Sequence, residues 1–376
     1  MIDSRNWFAE IPETRQRCFL ASQRNGVCIE VNGRTLVNFS SNDYLGLSTH
    51  PDVCMAAQKA CSVMVGSGAS RLVSGDDPML HRLEEKLARW KGYEACLITG
   101  SGMLANLGLI QALADRHTHL FTDKLNHASL VDGARLSGAK THRYAHLDTG
   151  QLAQQLQQHV AEKRIIVSDG VFSMDGDCAN VSLLLQLAEE YDALLIIDDA
   201  HGIGTVGESG TGLTSMHKIS GHARLIEVGT FGKAFGSYGA FILGTDELIE
   251  GLRQRQRTMV YSTALPLAMI AAAESALGLI QQAKQVSQLH RNLAHFKAGT
   301  AALGFMASDT AIQPLIVGSD TQALAMSTAL AGHGFFVAAI RPPTVPENTA
   351  RLRFTLSASH SMEQIDTLID YLMDIV

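Results

Sequence analysis

Short apolar runs alternate with amphipathic segments through the middle of the chain. The runs have the length of buried strands and occupy residues 94–99, 119–122, 164–168, 193–197, 224–229 and 240–243. Between them, residues 102–113 and 182–191 show the pattern of helices. This alternation is typical of a mostly parallel sheet with helices on both faces, so we predict an α/β fold.

Two local patterns each predict a single element. The leucines and the tryptophan of residues 80–90 recur at helical spacing, and the charged residues between them face away, which predicts an amphipathic helix. Nearer the N-terminus, Asn32-Gly33 lies between two valine-containing stretches. An Asn-Gly pair in that setting predicts the turn of a β-hairpin.

The pattern changes after about residue 280. Predicted helices at 288–303, 321–331 and 362–373 alternate there with predicted strands at 312–317, 335–339 and 351–355. We therefore expect three parts. These are an N-terminal segment at 1–43, a large domain that carries the site at 44–280, and a smaller C-terminal α+β domain at 281–376.

Composition and charge narrow the class of protein. The chain has 376 residues, of which 46% are hydrophobic and 18% charged, enough to build a sizeable core. A formal net charge of −7 without a basic run argues against nucleic acid and anionic membranes as partners. We expect neither a secretory signal nor a membrane span. The six cysteines are scattered without metal-ligand spacing, so we expect no metal site and free thiols in a cytoplasmic protein.

The candidate chemistry follows two neighbouring predicted strands. Asp198-Asp199-Ala200-His201 comes after one buried run, and Thr230-Phe231-Gly232-Lys233 comes after the next. Because the carboxyl ends of parallel strands line the ligand crevice, an acid, an imidazole and an amine should converge there. That set suits pyridoxal 5′-phosphate, with Lys233 for the Schiff base, Asp198 for the pyridine nitrogen and His201 for the ring oxygen. Asp199 points to the opposite face and is expected to be structural.

Further polar residues occupy similar positions, each with an ordinary structural alternative. Ser101-Gly102 opens a predicted helix, where backbone N–H groups favour a phosphate, and Thr230 is a second candidate. His127 lies at another predicted helix start and suits stacking on a pyridine ring, unless it is simply exposed. Ser173 follows the 164–168 strand, unless it only forms a turn.

Two arginines are suited to holding a carboxylate. Arg351 and Arg353 share one face of a predicted strand behind the rigid loop 341–346. A fixed guanidinium next to a pocket binds a carboxylate through two hydrogen bonds. One of the two arginines is open to a structural role instead.

The glycine-rich segments raise one alternative interpretation, a nucleotide-binding fold. Residues 66–71 lack the Gly-Lys-Ser/Thr ending of a nucleotide-binding loop. Gly202, Gly204 and Gly207 match the spacing of a nicotinamide-binding fingerprint after a strand. More glycines follow at once, so no long helix is expected there, and we interpret the stretch as a loop.

Taken together, these motifs resemble the α-oxoamine synthases, which are pyridoxal phosphate enzymes of the aspartate-aminotransferase fold, fold type I. The similar segments span nearly the whole chain and lie at residues 38–46, 66–75, 198–202, 230–233 and 261–263. The resemblance implies a homodimer with active sites at the subunit interface.

The resemblance also implies residue roles. Catalytic roles fall to Lys233, His127 and Asp198. Cofactor contacts fall to Ser101, Gly102, Met103, His127, Ser173, Asp198, His201, Thr230, Lys233 and Thr263. Substrate contacts fall to Asn42, Arg353, Thr344 and an N-terminal arginine, Arg15 or Arg17. Two positions depart from the family, since Met103 replaces an aromatic residue and Arg71 a smaller one.

Within the family, segment 340–353 is similar to members that condense L-alanine with a pimeloyl thioester in biotin biosynthesis. The carrier of the acyl group, coenzyme A or an acyl carrier protein, stays open. The alternatives are members that join glycine to acetyl-CoA or succinyl-CoA, members that join serine to a long acyl chain, and a non-catalytic scaffold of the same fold.

Overall fold

The part of the chain that the structure describes folds into three β-sheets and the helices that cover them. The computed structural model describes Trp7, residues 10–17 and residues 19–376. The strands are β1 (Ser22–Asn25), β2 (Cys28–Val31), β3 (Arg34–Asn38), β4 (Ala95–Thr99), β5 (Thr118–Asp123), β6 (Lys140–Tyr144), β7 (Lys163–Asp169), β8 (Leu194–Asp198), β9 (Leu225–Thr230), β10 (Ala240–Gly244), β11 (Ile312–Gly318), β12 (Phe335–Phe336), β13 (Ala338–Ile340) and β14 (Ala350–Thr355). The helices are α1 (Pro51–Cys61), α2 (Pro78–Lys91), α3 (Gly102–Leu113), α4 (Ala128–Ser137), α5 (Thr149–Gln158), α6 (Val181–Glu190), α7 (Leu213–Met216), α8 (Asp246–Arg255), α9 (Arg257–Val260), α10 (Leu267–Gln281), α11 (Lys284–Gly299), α12 (Asp320–Gly332) and α13 (Met362–Ile375).

The central sheet positions the site. Its seven strands run in the order β4-β10-β9-β8-β7-β5-β6. The pairs from β9 through β6 are parallel, whereas β10 runs antiparallel to both of its neighbours. The register sets Asp169 beside Asp198, and Asp198 beside Val228. Asp169 and Asp198 therefore end level at one edge of the sheet, and the mostly parallel sheet predicted from the sequence is confirmed.

Both faces of this sheet are buried, which explains its continuous apolar strands. Along β7, Ile165 and Val167 pack into one hydrophobic cluster and Ile166 into the other. Alternate residues of a strand point to opposite faces, so a strand covered on both sides has no polar stripe. The carboxyl ends of the strands are the places where charged side chains can escape this packing.

The two smaller sheets connect the ends of the chain. Strands β1, β2 and β3 form an antiparallel meander, and the parallel strand β12 joins its edge. The predicted hairpin turn is present, with positive φ at Asn32 and Gly33. Strands β11, β14 and β13 form the third, antiparallel sheet. The predicted strand at 335–339 is therefore two short strands in different sheets. The three-part division of the chain stays a prediction.

Two findings bear on the environment of the protein. In the described ranges, no helix has both the length and the apolar character needed to cross a bilayer. The cysteines at positions 28, 54, 61, 96 and 178 are free, and Cys18 lies outside the described residues.

Candidate active site

Asp198 ends β8 as a buried carboxylate with neutral partners. Its side chain is 7% exposed. One oxygen accepts the Ala200 N–H at 3.0 Å, and the other accepts the Asn106 amide N–H at 2.6 Å. A buried carboxylate is costly unless a positive group compensates it. Within the described residues no such group pairs with Asp198, so the site is suited to a cationic ligand atom.

Lys233 lies in the turn after β9 and is half-buried. Burial lowers the pKa of its amine to about 8, although the charges of Asp198 and Asp169 raise it. Thr230 shapes the turn, because its hydroxyl donates to the Gly239 carbonyl at 3.0 Å and accepts the Gly232 N–H at 3.1 Å. A lysine with a lowered pKa carries more of the neutral, nucleophilic amine at physiological pH.

His127 caps α4 at the same edge of the sheet, and its side chain is partly open to solvent. Its backbone N–H donates to an Asp169 carboxylate oxygen at 2.6 Å, and its Nδ1 lies 2.8 Å from the Ser129 hydroxyl. Burial lowers the pKa of His127, while Asp198 raises it and Lys233 lowers it. Asp198 and Lys233 are therefore close enough to His127 for their charges to act on its ring.

His201 belongs to a buried hydrogen-bond network with Tyr44 and Arg353. Its Nδ1 lies 2.7 Å from the Tyr44 hydroxyl. The Arg353 guanidinium donates to the Asn42 side-chain oxygen at 3.3 Å and to the Tyr44 hydroxyl at 3.4 Å. Burial lowers the pKa of His201 well below its usual range, and the nearby Lys233 and Arg353 charges act in the same direction. His201 is therefore neutral at physiological pH.

The two arginines of β14 differ in their partners. Arg351 forms a 2.5 Å ion pair with Asp175. Arg353 is 6% exposed, and its acceptors are neutral, including the Ser173 carbonyl at 2.5 Å. Arg351 is thus neutralised within the protein, whereas Arg353 keeps a buried positive charge, and the substrate role of Arg353 stays a prediction.

Three of the predicted cofactor contacts, Ser101, Gly102 and Met103, lie at the start of α3. The Ser101 hydroxyl accepts the Leu104 N–H at 3.3 Å, which makes Ser101 the N-cap of that helix. Gly102 and Met103 form its first turn, and Met103 is 41% exposed. Thr263 is exposed, and its backbone pairs with Ser70 of the glycine-rich segment. Free N–H groups at a helix start bind phosphate readily.

Three predicted substrate residues have no hydrogen bond to this cluster among the described residues. Arg15 is held by ion pairs to Asp320 at 2.9 Å and Glu347 at 2.6 Å. Arg17 and Thr344 are exposed. Their substrate roles stay predictions, and the two carboxylates already bound to Arg15 make Arg17 the freer of the two arginines.

Arg71, the other departure from the family pattern, has a structural explanation. Its guanidinium is 10% exposed and forms ion pairs with Asp76 at 2.6 Å and Glu84 at 2.5 Å. Glu84 also accepts the Ile98 N–H of β4 at 2.8 Å. Arg71 therefore joins the glycine-rich segment to the central sheet.

Sequence reasoning missed four residues of the site: Tyr44, Asn106, Ser129 and Asp169. Asp169 is buried, and its pKa is raised well above the usual range by burial and by the Asp198 charge. A signal for it existed, because it directly follows a predicted strand. Asn106 also left a signal, as a polar residue on a helix that is otherwise largely apolar.

This donor set fits pyridoxal 5′-phosphate. Asp198 is an uncompensated acid for a protonated ring nitrogen, Lys233 is a desolvated amine for an aldehyde, and the start of α3 accommodates a phosphate. A nicotinamide site does not fit, since residues 202–212 form turns around Asp199 and the next helix, α7, has only four residues.

Comparisons with known proteins agree with this geometry. The sequence matches the family described as aminotransferase class I and II over residues 34–372. A relative from Hydrogenovibrio crunogenus named 8-amino-7-oxononanoate synthase is 46% identical over 349 residues, which cover 92% of this chain and 88% of the relative.

Two solved structures are similar as well. A serine palmitoyltransferase variant from S. paucimobilis, with a bound PLP–myriocin aldimine, has a TM-score of 0.90 and 26% identity over 95% of this chain and 91% of its own. An 8-amino-7-oxononanoate synthase from Francisella tularensis has a TM-score of 0.77 and 28% identity over 90% and 97% of the two chains.

Proposed function

Because this chain belongs to the aminotransferase class I and II family, we propose that it is a pyridoxal-phosphate-dependent acyltransferase that makes 8-amino-7-oxononanoate for biotin biosynthesis. Its substrates are L-alanine and a pimeloyl thioester, carried by coenzyme A or by a carrier protein. One observation carries the proposal: a buried acid without a countercharge, Asp198, ends the strand beside the one that leads to a desolvated amine, Lys233.

The residues around this pair would hold the cofactor. Asp198 would keep a proton on the pyridine nitrogen, His201 would contact the ring oxygen, and His127 would stack on the ring. Ser101 and Gly102 would hold the phosphate at the start of α3. When bound, the cofactor withdraws electrons from the α-carbon of the amino acid, which acidifies the hydrogen on that carbon.

Arg353 would bind the carboxylate of alanine. Its guanidinium is oriented by the Ser173 carbonyl and the Asn42 amide, and no carboxylate of the described chain neutralises it. A fixed, partly desolvated guanidinium binds a carboxylate through two charge-assisted hydrogen bonds. Positioning alanine in this way also orients its α-hydrogen toward the base.

Lys233 would then move the protons. Its neutral amine removes the α-hydrogen of alanine, and the α-carbon forms a bond to the thioester carbonyl carbon. The thiol leaves, the former alanine carboxylate departs as carbon dioxide, and a proton returns to the same carbon. A lysine whose pKa lies near the working pH suits both removal and return of a proton.

We also propose that the enzyme is a homodimer with active sites at the subunit interface. Val63, Val65, Val73 and Tyr261 are 74–82% exposed, which is unfavourable for apolar side chains in a free monomer. The segments that carry them are joined by the backbone pairing of Ser70 with Thr263. A second copy covering this surface would bring Thr263 close to the partner's phosphate site.

Light scattering tests the assembly. Val73→Asp should shift the protein toward monomer because a charge enters the apolar surface. Val160→Asp is the matched control, since Val160 is 76% exposed elsewhere on the chain. A wild-type protein that is monomeric at micromolar concentration would contradict the dimer. We place the dimer in the cytoplasm, which the free thiols support.

A substrate panel tests the reaction. The purified holoenzyme is mixed with alanine, glycine or serine and with pimeloyl-, acetyl-, succinyl- or palmitoyl-CoA, and products are identified by mass spectrometry. We expect turnover with alanine and pimeloyl-CoA, and none in Lys233→Ala. Lys59→Ala, which changes an exposed lysine on α1, is the control that keeps activity. Preferred use of glycine or serine would assign the chain to another member of the α-oxoamine synthases.

A further inference from the structure

A continuous chain of hydrogen bonds joins Asp198 to His127. The Asn106 amide nitrogen donates to Asp198 Oδ2 at 2.6 Å and to the Ser129 hydroxyl at 2.9 Å. The Ser129 hydroxyl in turn lies 2.8 Å from His127 Nδ1. Asn106 and Ser129 are 1% and 0% exposed, so water does not substitute for these bonds. The two residues that would pair with the cofactor ring and stack on it are thus physically connected.

The chemistry of Asn106 fixes its orientation. An ionised carboxylate only accepts hydrogen bonds, so the amide nitrogen rather than the oxygen must face Asp198. The amide oxygen is buried and has no partner among the described residues. An unpaired buried carbonyl costs free energy. The Asn106 oxygen stays unpaired because the amide is oriented to donate its two hydrogens to Asp198 and to Ser129.

The same logic fixes the hydrogens of the next two residues. The Ser129 hydroxyl accepts from Asn106, so its single hydrogen is free to be donated to His127 Nδ1. The Ser129 backbone N–H also faces Nδ1, at 3.2 Å. A ring nitrogen that receives two hydrogen bonds carries no proton. The proton of the neutral His127 ring is therefore on Nε2.

Close packing of two helices makes the chain of bonds possible. Ser129 and Gly133 lie four residues apart on α4 and so on the same helix face. A Cβ at Gly133 would lie 3.2 Å from the backbone oxygen of Asn106 and 3.1 Å from Ile110 Cδ1. The missing side chain lets α4 approach α3 closely enough for the two polar side chains to meet.

We propose that Asn106 is a positioning residue which orients the Asp198 carboxylate and, through Ser129, sets the tautomer of His127. A single buried amide would thereby align both the acid that pairs with the ring nitrogen and the imidazole that stacks on the ring. This inference rests on the proposed function for the meaning of the site. The hydrogen-bond chain itself is a property of the protein before cofactor is added.

Two variants separate the two halves of the proposal. Ser129→Ala removes the hydroxyl contact to His127 Nδ1, keeps the backbone N–H that faces Nδ1, and leaves Asn106 bound to Asp198. Asn106→Ala removes the hydrogen bonds to Asp198 and to Ser129. If the Asn106→Ala protein does not fold, Asn106→Ser is used in its place. Asn292→Ala is the matched control, because Asn292 is an equally buried asparagine that donates to the Ser357 and His360 carbonyls away from this chain of bonds.

The first readout is the ¹⁵N chemical shifts of the His127 ring in the cofactor-free protein. We expect the Nε2-protonated tautomer to have its largest share in wild type and Asn292→Ala. That share should fall in Ser129→Ala, where only the backbone N–H still faces Nδ1, and in Asn106→Ala, where the Ser129 hydroxyl is no longer oriented. The second readout is the dissociation constant of pyridoxal 5′-phosphate, followed by absorbance. Asn106→Ala loses a hydrogen bond to the charged Asp198, so this dissociation constant should rise about ten- to a hundredfold. In Ser129→Ala, which keeps that bond, it should rise less than threefold.

Two results would overturn the proposal. One is an unchanged share of the Nε2-protonated His127 tautomer in folded Ser129→Ala. The other is a folded Asn106 variant that binds the cofactor with wild-type affinity and differs only by a lower melting temperature. That result would show that Asn106 stabilises the fold without positioning Asp198. A wild-type enzyme without turnover on alanine and pimeloyl-CoA would refute the proposed function, whereas the tautomer measurement would still decide this inference.

Discussion

Replacing each arginine of β14 separately by methionine should distinguish the residue that binds substrate from the residue that stabilises the fold. Arg353→Met removes a buried guanidinium that has no carboxylate partner in the described chain, so the protein loses only hydrogen bonds to neutral acceptors and leaves no buried charge unpaired. Alanine loses two charge-assisted hydrogen bonds of about 1.5 kcal/mol or more each. A loss of about 3 kcal/mol lowers kcat/KM for alanine by at least about 100-fold.

Arg351→Met should give the opposite result. It leaves Asp175 buried without its 2.5 Å partner, and breaking such a pair costs about 3–5 kcal/mol. Asp175 keeps 14% exposure, so we expect the lower end, about 3 kcal/mol. At roughly 2 °C per kcal/mol for a chain of this size, the melting temperature falls by roughly 6 °C. The KM for alanine should stay within about twofold.

Steady-state kinetics with varied alanine and saturating pimeloyl-CoA, together with calorimetry of the same samples, measure both effects. Cofactor content is checked by absorbance, so that loss of cofactor is not mistaken for loss of alanine binding. An unchanged KM for alanine in cofactor-loaded Arg353→Met would refute the assignment of Arg353. A large KM effect in Arg351→Met would mean that the two guanidiniums are not separated by their partners.

Three further predictions follow from the charges at the site and beside it. Asp198→Asn should lower kcat by about 100- to 1000-fold, as for a lost preorganised electrostatic contact, and wild-type rates in single-turnover assays would contradict the pairing with the ring nitrogen. The pKa of Lys233 is lowered to about 8, so the rate at which the cofactor-free protein binds cofactor should rise about tenfold per pH unit below pH 8 and level off above pH 9. A rate that keeps rising to pH 10 in stopped-flow measurements would contradict the lowered pKa. Burial lowers the pKa of His146, but the Asp123 and Asp177 carboxylates together raise it to about 10. The stabilisation that these ion pairs provide is therefore complete below about pH 6.5 and is lost as pH rises through 10. His146→Gln should lower the melting temperature more at pH 6 than at pH 10, and equal shifts at the two pH values would argue against the ion pairs.

The predicted elements agree best where burial alone determines the pattern. The helix predicted at 102–113 has those bounds, and the apolar runs became β4, β5, β7, β8 and β9 within about a residue. The helix predicted at 288–303 begins and ends four residues earlier, at Lys284–Gly299. Helix ends depend on caps and on packing that periodicity does not contain.

Strand direction and partner were not readable in the same way. The run that forms β10 resembles its neighbours, yet it alone runs antiparallel in the central sheet. The apolar stretch 335–339 is divided between two sheets, because β12 pairs with β3 while β13 pairs with β14. A buried strand has the same composition in either direction, so only the chain path decides the pairing.

By itself, the sequence determined which segments are buried and which polar residues end the strands, because periodicity and strand length are local properties. Asp198 and Lys233 were found on that basis. Only the tertiary structure decided which charges are neutralised: Arg351 meets Asp175 while Arg353, two residues away on the same face, meets the Ser173 carbonyl. Asn106 likewise meets Asp198 across 92 residues of chain. Contacts of this kind depend on how distant elements pack, and no local pattern encodes them.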